Sequence, residues 1–112
     1  MQRIEAIIKP FKLDDVKKRL FDLGVKGMTV SEVHGFDRGG EQREGYRGLG
    51  DPTDFVPKVR LVIVLDDQQV DDVVNGLKAS AHTGEVGDGK IFVSPVTTVV
   101  RIRTGECDSE AL

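Results

Sequence analysis

The stretch Phe55-Val56-Pro57-Lys58-Val59-Arg60-Leu61-Val62-Ile63-Val64-Leu65 is rich in branched apolar residues, and Asp66-Asp67 closes it. Branched residues fit the pleated surface of a strand. Val70, Val73, Val74 and Leu77 then recur at helical spacing, which predicts a helix over Asp67 to Ala81. Gly84 to Gly89 reads as a loop, and Ile91 to Val93 as a second strand. The same order stands earlier in the chain. Arg3 to Ile8 alternates, with Ile4, Ala6 and Ile8 on one side, until Pro10 ends the strand. Leu13, Val16, Leu20 and Leu23 follow at helical spacing. Asp14 and Asp15 suit the positive helix start, and Gly24 suits the turn past its end. Met28 to Phe36 reads as a strand.

Two βαβ units in series predict an α+β, ferredoxin-like domain over residues 1–112. Its parts are a four-stranded antiparallel sheet and two helices on one face. The units are joined by a charged, glycine-rich stretch without periodicity, about 37–55, long enough to expect a functional loop. Val96 to Ile102 reads as further extended chain, and Thr104 to Leu112 as a polar tail. The third strand reads as apolar on both faces, so the sheet face left uncovered by helices predicts self-association into a homo-oligomer.

Composition narrows the function classes. The chain has 112 residues, 31% charged and 38% hydrophobic, with a net charge of −3. That is ordinary for a globular domain and excludes collagen-like and fully disordered chains. No apolar run approaches the ~20 residues of a spanning helix, so no membrane insertion is expected. An acidic balance without tryptophan argues against nucleic acid as a partner. One cysteine, Cys107, excludes an internal disulfide framework. Acidic Glu5 and Pro10 break the short apolar start, so no signal peptide is expected and the cytoplasm is the default location.

Nine of the 13 glycines fall in two places, six from Gly35 to Gly50 and three at Gly84, Gly87 and Gly89. Gly84-Glu85-Val86-Gly87-Asp88-Gly89-Lys90 matches the first seven positions of a phosphate-binding P-loop. The eighth, a hydroxyl residue for magnesium, is Ile91, and the helix precedes the loop where it should follow. A P-loop ATPase is therefore excluded. Backbone N–H groups can still form an anion nest with Lys90 as a point charge; a plain helix-to-strand turn is the alternative. Arg101 and Arg103, two apart on chain expected to be extended, would point to one side and suit phosphate oxygens. A solvated charge pair is the alternative there. Arg38 is a third cation candidate. Catalysis has little support: His34 and His82 have no metal-ligand spacing, and Cys107 sits in a polar tail.

The run Thr83-Gly84-Glu85-Val86-Gly87-Asp88-Gly89-Lys90-Ile91-Phe92-Val93-Ser94-Pro95-Val96 resembles the C-terminal signature of the PII nitrogen-regulatory signal-transduction proteins. Ile4 to Val16, Gly27 to Val33 and Val99 to Glu106 are similar to other segments of that family. The resemblance implies a ferredoxin-like homotrimer that binds ATP or ADP, with AMP open, in clefts between subunits. It implies a long T-loop that docks onto a regulated target, a membrane transporter or a metabolic enzyme. Gly27, Met28, Thr29, Arg38 and Val64 would line the nucleotide, Gly87, Asp88, Gly89 and Lys90 would hold its phosphates, and Arg101 and Arg103 would complete the cleft. Lys58 would meet a carboxylate of the effector 2-oxoglutarate, and Arg43, Tyr46, Arg47, Leu49 and Asp51 would belong to the partner-binding loop.

Departures from the family pattern shape the expectation. Gly35-Phe36-Asp37-Arg38-Gly39 stands where the family has Gly-Phe-Gly-Arg-Gln, whose glutamine ligates magnesium beside 2-oxoglutarate. Gly39 has no side chain to do so, and Asp37 adds a like charge where a dicarboxylate would bind. Asp51 replaces the uridylylated tyrosine, and Leu49 a serine that some members phosphorylate. His82 and Val62 replace an arginine and an acid. The expected function is an adenine-nucleotide-responsive regulator, not an enzyme, with weakened or lost 2-oxoglutarate sensing and no tyrosine uridylylation. A sensor of another metabolite such as bicarbonate, and a slow nucleotide hydrolase, are the rival readings.

Overall fold

The computed structural model describes residues 1–36 and 54–112. It contains β1 (Gln2–Ile8), α1 (Leu13–Asp22), β2 (Thr29–Gly35), β3 (Val56–Leu65), α2 (Asp67–Ala81) and β4 (Lys90–Pro95). The strands form one sheet in the order β2-β3-β1-β4, with every neighbouring pair antiparallel. This is the expected double βαβ architecture, and α2 has the bounds that its periodicity predicts.

Register explains the core. Ile4 lies opposite Ile63, Ala6 opposite Leu61 and Ile8 opposite Val59, and all six are buried. Because side chains alternate along a strand, one face of β1 and β3 is thereby committed to the helices. The helices answer with Val16 and Leu20 from α1 and Val73, Leu77 and Ala81 from α2. Helix α1 ends where the sequence says it should. The N–H of Gly24 donates to the Phe21 carbonyl and that of Val25 to the Leu20 carbonyl, each at 3.0 Å. This pair of hydrogen bonds closes the last turn, and it needs the left-handed backbone that Gly24 adopts at φ +86°.

The face away from the helices differs from the expectation. It is mixed, not apolar. Val62 and Val64 are half-buried there, but Arg3, Glu5 and Arg60 share the same face. Glu5 Oε2 accepts from Arg3 Nη2 at 2.8 Å and from Arg60 Nε at 2.9 Å. Those two guanidinium hydrogen bonds hold the Glu5 carboxyl below the usual range, against a smaller opposing effect of desolvation.

The segment after β4 also departs from the expectation. It forms no further strand: Val100 makes a single bridge to Cys107, and residues 102–104 turn. Arg101 N–H donates to the Glu106 carbonyl and Gly105 N–H to the Arg101 carbonyl, both at 2.8 Å. The alternation argued for Arg101 and Arg103 therefore fails, because Arg103 lies within the turn that these bonds close. Nor is the tail loose. It ends in a short turn, Asp108–Ala111, and Ser109 Oγ donates to Asp66 Oδ1 at 2.9 Å.

Leu61 is fully buried at the centre of this core. Leu61→Ala is expected to cost about 2–5 kcal/mol, read as a lower midpoint in urea unfolding with the slope unchanged.

Candidate functional site

The loop from His82 to Gly89 leaves α2 and enters β4, and its shape is set by one carboxylate. Asp88 Oδ2 accepts the backbone N–H of Thr83 at 2.8 Å and of Gly84 at 2.9 Å. Asp88 Oδ1 accepts the Thr83 hydroxyl and lies 3.2 Å from Lys9 Nζ. Lys9 Nζ also donates to Thr83 Oγ1 at 2.9 Å, and Glu85 N–H to the same oxygen at 3.1 Å. Burial pushes the Asp88 carboxyl up. The bonds from the Thr83 hydroxyl, the Thr83 and Gly84 N–H groups and Lys9 outweigh it and hold the group well below the usual carboxylate range.

Two contacts press the loop onto the sheet. Lys58 is buried, and its Nζ donates to the Gly87 carbonyl at 2.6 Å. Gly89 has φ +97°, and a Cβ there would sit on the Ile7 carbonyl oxygen of β1. Glycine is thus required at this position by the protein's own backbone. Lys58, Gly87, Gly89 and Lys90 border a cavity of ≈ 230 Å³, floored by Ile7 and Phe92 and flanked by Gly35 and Phe36. Phe36 meets Phe55 edge-to-face, with ring centroids 5.2 Å apart, so the two ends of the intervening loop are held together.

The other expected site residues gather elsewhere. Gly27 and Val64 border a second cavity of ≈ 340 Å³ with Asp66, Gln69 and the tail residue Leu112. Met28 packs against the core, and Thr29 begins β2 opposite Val62. Arg101 Nη1 pairs with Glu106 Oε1 at 3.1 Å, and Nη2 donates to the Leu112 carbonyl at 3.3 Å. Arg103 is exposed on the adjoining turn. The two groups lie at opposite ends of the sheet. Lys90 is opposite Ile7 on β1 while Leu65 is opposite Gln2, five residues away, or about 17 Å along the strand. One chain does not bring them together.

The chain matches the family model of nitrogen regulatory protein P-II over residues 1–106. It belongs to the P-II family. The relatives agree along the whole length. A nitrogen regulatory protein P-II of a Synechocystis species is 57% identical over 112 residues, covering all of both chains. Those of Nostoc punctiforme and Azospirillum brasilense are 56% and 52% identical with the same coverage. The crystal structure of Arabidopsis thaliana PII bound to citrate matches with a TM-score of 0.80 at 41% identity, covering 98% of this chain and 87% of that one. The P-II family is one of regulatory signalling proteins rather than enzymes.

Arg38, Arg43, Tyr46, Arg47, Leu49 and Asp51, with Asp37 and Gly39, lie outside the described residues. Among the described residues, sequence reasoning missed Lys9 and Thr83. The local half of their cluster carried a signal, since a side-chain oxygen at Asp88 can close a turn onto N–H groups a few residues back. Lys9 stands 74 residues from Thr83, and no spacing rule links them.

Two outcomes follow for the loop. Gly89→Ala is expected to break the seat on β1 and lower the melting temperature, with the loss greatest in hydrogen exchange protection around β4. The Asp88 pKa is lowered in the folded state. Its contribution to stability is therefore full above the ~3.9 of a free aspartate and is lost as pH falls toward the folded value. Wild-type protein is expected to lose melting temperature between roughly pH 4 and pH 2 more steeply than Asp88→Asn.

Proposed function

We propose that this chain is an adenine-nucleotide-responsive regulator. It works as a homotrimer and controls a target protein through the loop of residues 37–55. The observation that carries the reading is the separation of the two half-sites. Gly87, Gly89 and Lys90 offer backbone N–H groups and an ammonium at one end of the sheet. Gly27, Val64 and the arginine-bearing tail stand at the other. A nucleotide gripped by both needs a second copy to supply one of them, so the cleft lies between subunits. Lys90, Arg101 and Arg103 then offset polyphosphate charge from two chains.

The loop's position supports its role as output. Its ends are clamped by Phe36 and Phe55, and Gly35 and Phe36 border the cavity that holds Lys58 and Lys90. A ligand there touches the base of the loop, and a ligand that prefers one loop arrangement shifts the population toward it. The Arabidopsis PII was solved with citrate bound, a polycarboxylate. On this chain the Lys58 and Lys90 cavity is the corresponding chemistry for a carboxylate effector. For 2-oxoglutarate with magnesium, however, Gly39 lacks a side-chain oxygen for the metal and Asp37 repels a dicarboxylate. Asp51 and Leu49 offer no hydroxyl for covalent control at their positions.

Calorimetric titration of ATP, ADP and AMP, each with and without magnesium plus 2-oxoglutarate, tests the reading. Nucleotides are expected to bind, and 2-oxoglutarate to leave ATP affinity within about threefold, under 1 kcal/mol. Absence of nucleotide binding overturns the function. Strong synergy with 2-oxoglutarate overturns the reading of Gly39. In analytical ultracentrifugation the protein is expected at three times the chain mass; a monomer that binds ATP overturns the inter-subunit cleft.

A further inference from the structure

The family resemblance groups Asp88 with Gly87, Gly89 and Lys90 as one phosphate-holding run, but its side chain is engaged apart from them. Gly87, Gly89 and Lys90 all border the cavity with Lys58. Asp88 does not border it; its neighbours Gly89 and Lys90 also line a different cavity, on the side of α2, with Asp88, Leu77 and His82. Both carboxylate oxygens are engaged internally, by Thr83, Gly84 and Lys9. We propose that Asp88 is a positioning residue: with Thr83 and Lys9 it closes the 83–88 turn from behind and so aims the Gly87 to Lys90 backbone at a ligand phosphate without touching it. The proposal rests on the nucleotide reading above.

Three features of the geometry support it. The N–H groups of Thr83, Gly84 and Glu85 are all spent inside the turn, so the anion-binding donors are confined to the later part of the loop. Lys9 reaches the cluster from the end of β1, and Gly89 rests on the Ile7 carbonyl of the same strand. The turn and the phosphate segment thus share one rigid support. Finally, a carboxylate beside a phosphate site repels the ligand, and Lys9 at 3.2 Å offsets that charge. Charge and geometry therefore predict opposite signs for the same substitution.

Asp88→Asn removes a negative charge while keeping the size of the side chain. If Asp88 acts by positioning, the variant binds ATP and inorganic tripolyphosphate at least about tenfold more weakly, although its charge favours them, while adenosine affinity stays as in wild type. Thr83→Val, which leaves every charge in place, is expected to weaken tripolyphosphate in the same direction, and Thr83→Ser to restore it. These are read by calorimetry on the assembled protein well below its melting temperature. Unchanged or tighter ATP binding by Asp88→Asn overturns the proposal, as does an equal loss of ATP and adenosine. Should Asp88→Asn not fold, Thr83→Val decides alone, and wild-type affinity in it overturns the proposal. Wild-type protein that binds neither ATP nor tripolyphosphate overturns the nucleotide reading, and this inference with it.

Discussion

The apolar contact between β1 and β3 beneath the helices sets the register on which the remaining structure depends. With Ile4, Ala6 and Ile8 facing Ile63, Leu61 and Val59, a slip of one residue would turn Arg3, Glu5 and Arg60 into the core. The same register fixes what hangs from β1. Its end carries Lys9 to the loop cluster, its Ile7 carbonyl seats Gly89, and its first residue meets Leu65 at the far end of the sheet. Both half-sites are therefore positioned by one central strand, and the distance between them is a property of that strand's length.

Much of this was legible because the signals are local. Helix α2 is read from four apolar positions, and the end of α1 from Gly24, since the hydrogen bonds that make each lie within a few residues. The errors came where a local rule was carried past its range. Alternation places Arg101 and Arg103 on one side, but Arg103 sits within a turn at residues 102–104. The P-loop match explains the glycines near Gly87 by a phosphate, yet at Gly89 the absence of a side chain is required by β1 itself. Lys9 was invisible because its partners, Thr83 and Asp88, come near only through folding. The family resemblance implies a set of nucleotide residues but carries no sign of the Lys9–Thr83–Asp88 network.

A sheet face left open by the helices has to avoid indiscriminate adhesion. A wholly apolar face would bind many partners. Here the Glu5 carboxylate is already bonded to Arg3 and Arg60 before any partner arrives. Covering such a pre-satisfied group costs less than burying separate charges, while misaligned packing that breaks one of its bonds leaves a buried charge unpaired. Val62 and Val64, half-buried on the same face, are its apolar part.

A similar division of labour separates this loop from the P-loop it partly matches. In an ATP-hydrolysing loop the hydroxyl after the lysine holds magnesium against the phosphates. Here that position is Ile91, whose side chain packs against the core. The hydroxyl that the loop does contain, on Thr83, is turned inward to Asp88. The loop retains its glycines and Lys90, and commits the side chains of Thr83 and Asp88 to holding its own shape. A loop built this way lacks the hydroxyl that would place magnesium for hydrolysis, which accords with a family of regulatory proteins rather than enzymes. Because its rigid side rests on the Ile7 carbonyl of β1 and the cavity it borders reaches Phe36, which packs on Phe55, a ligand held in that cavity would touch the base of the 37–55 segment.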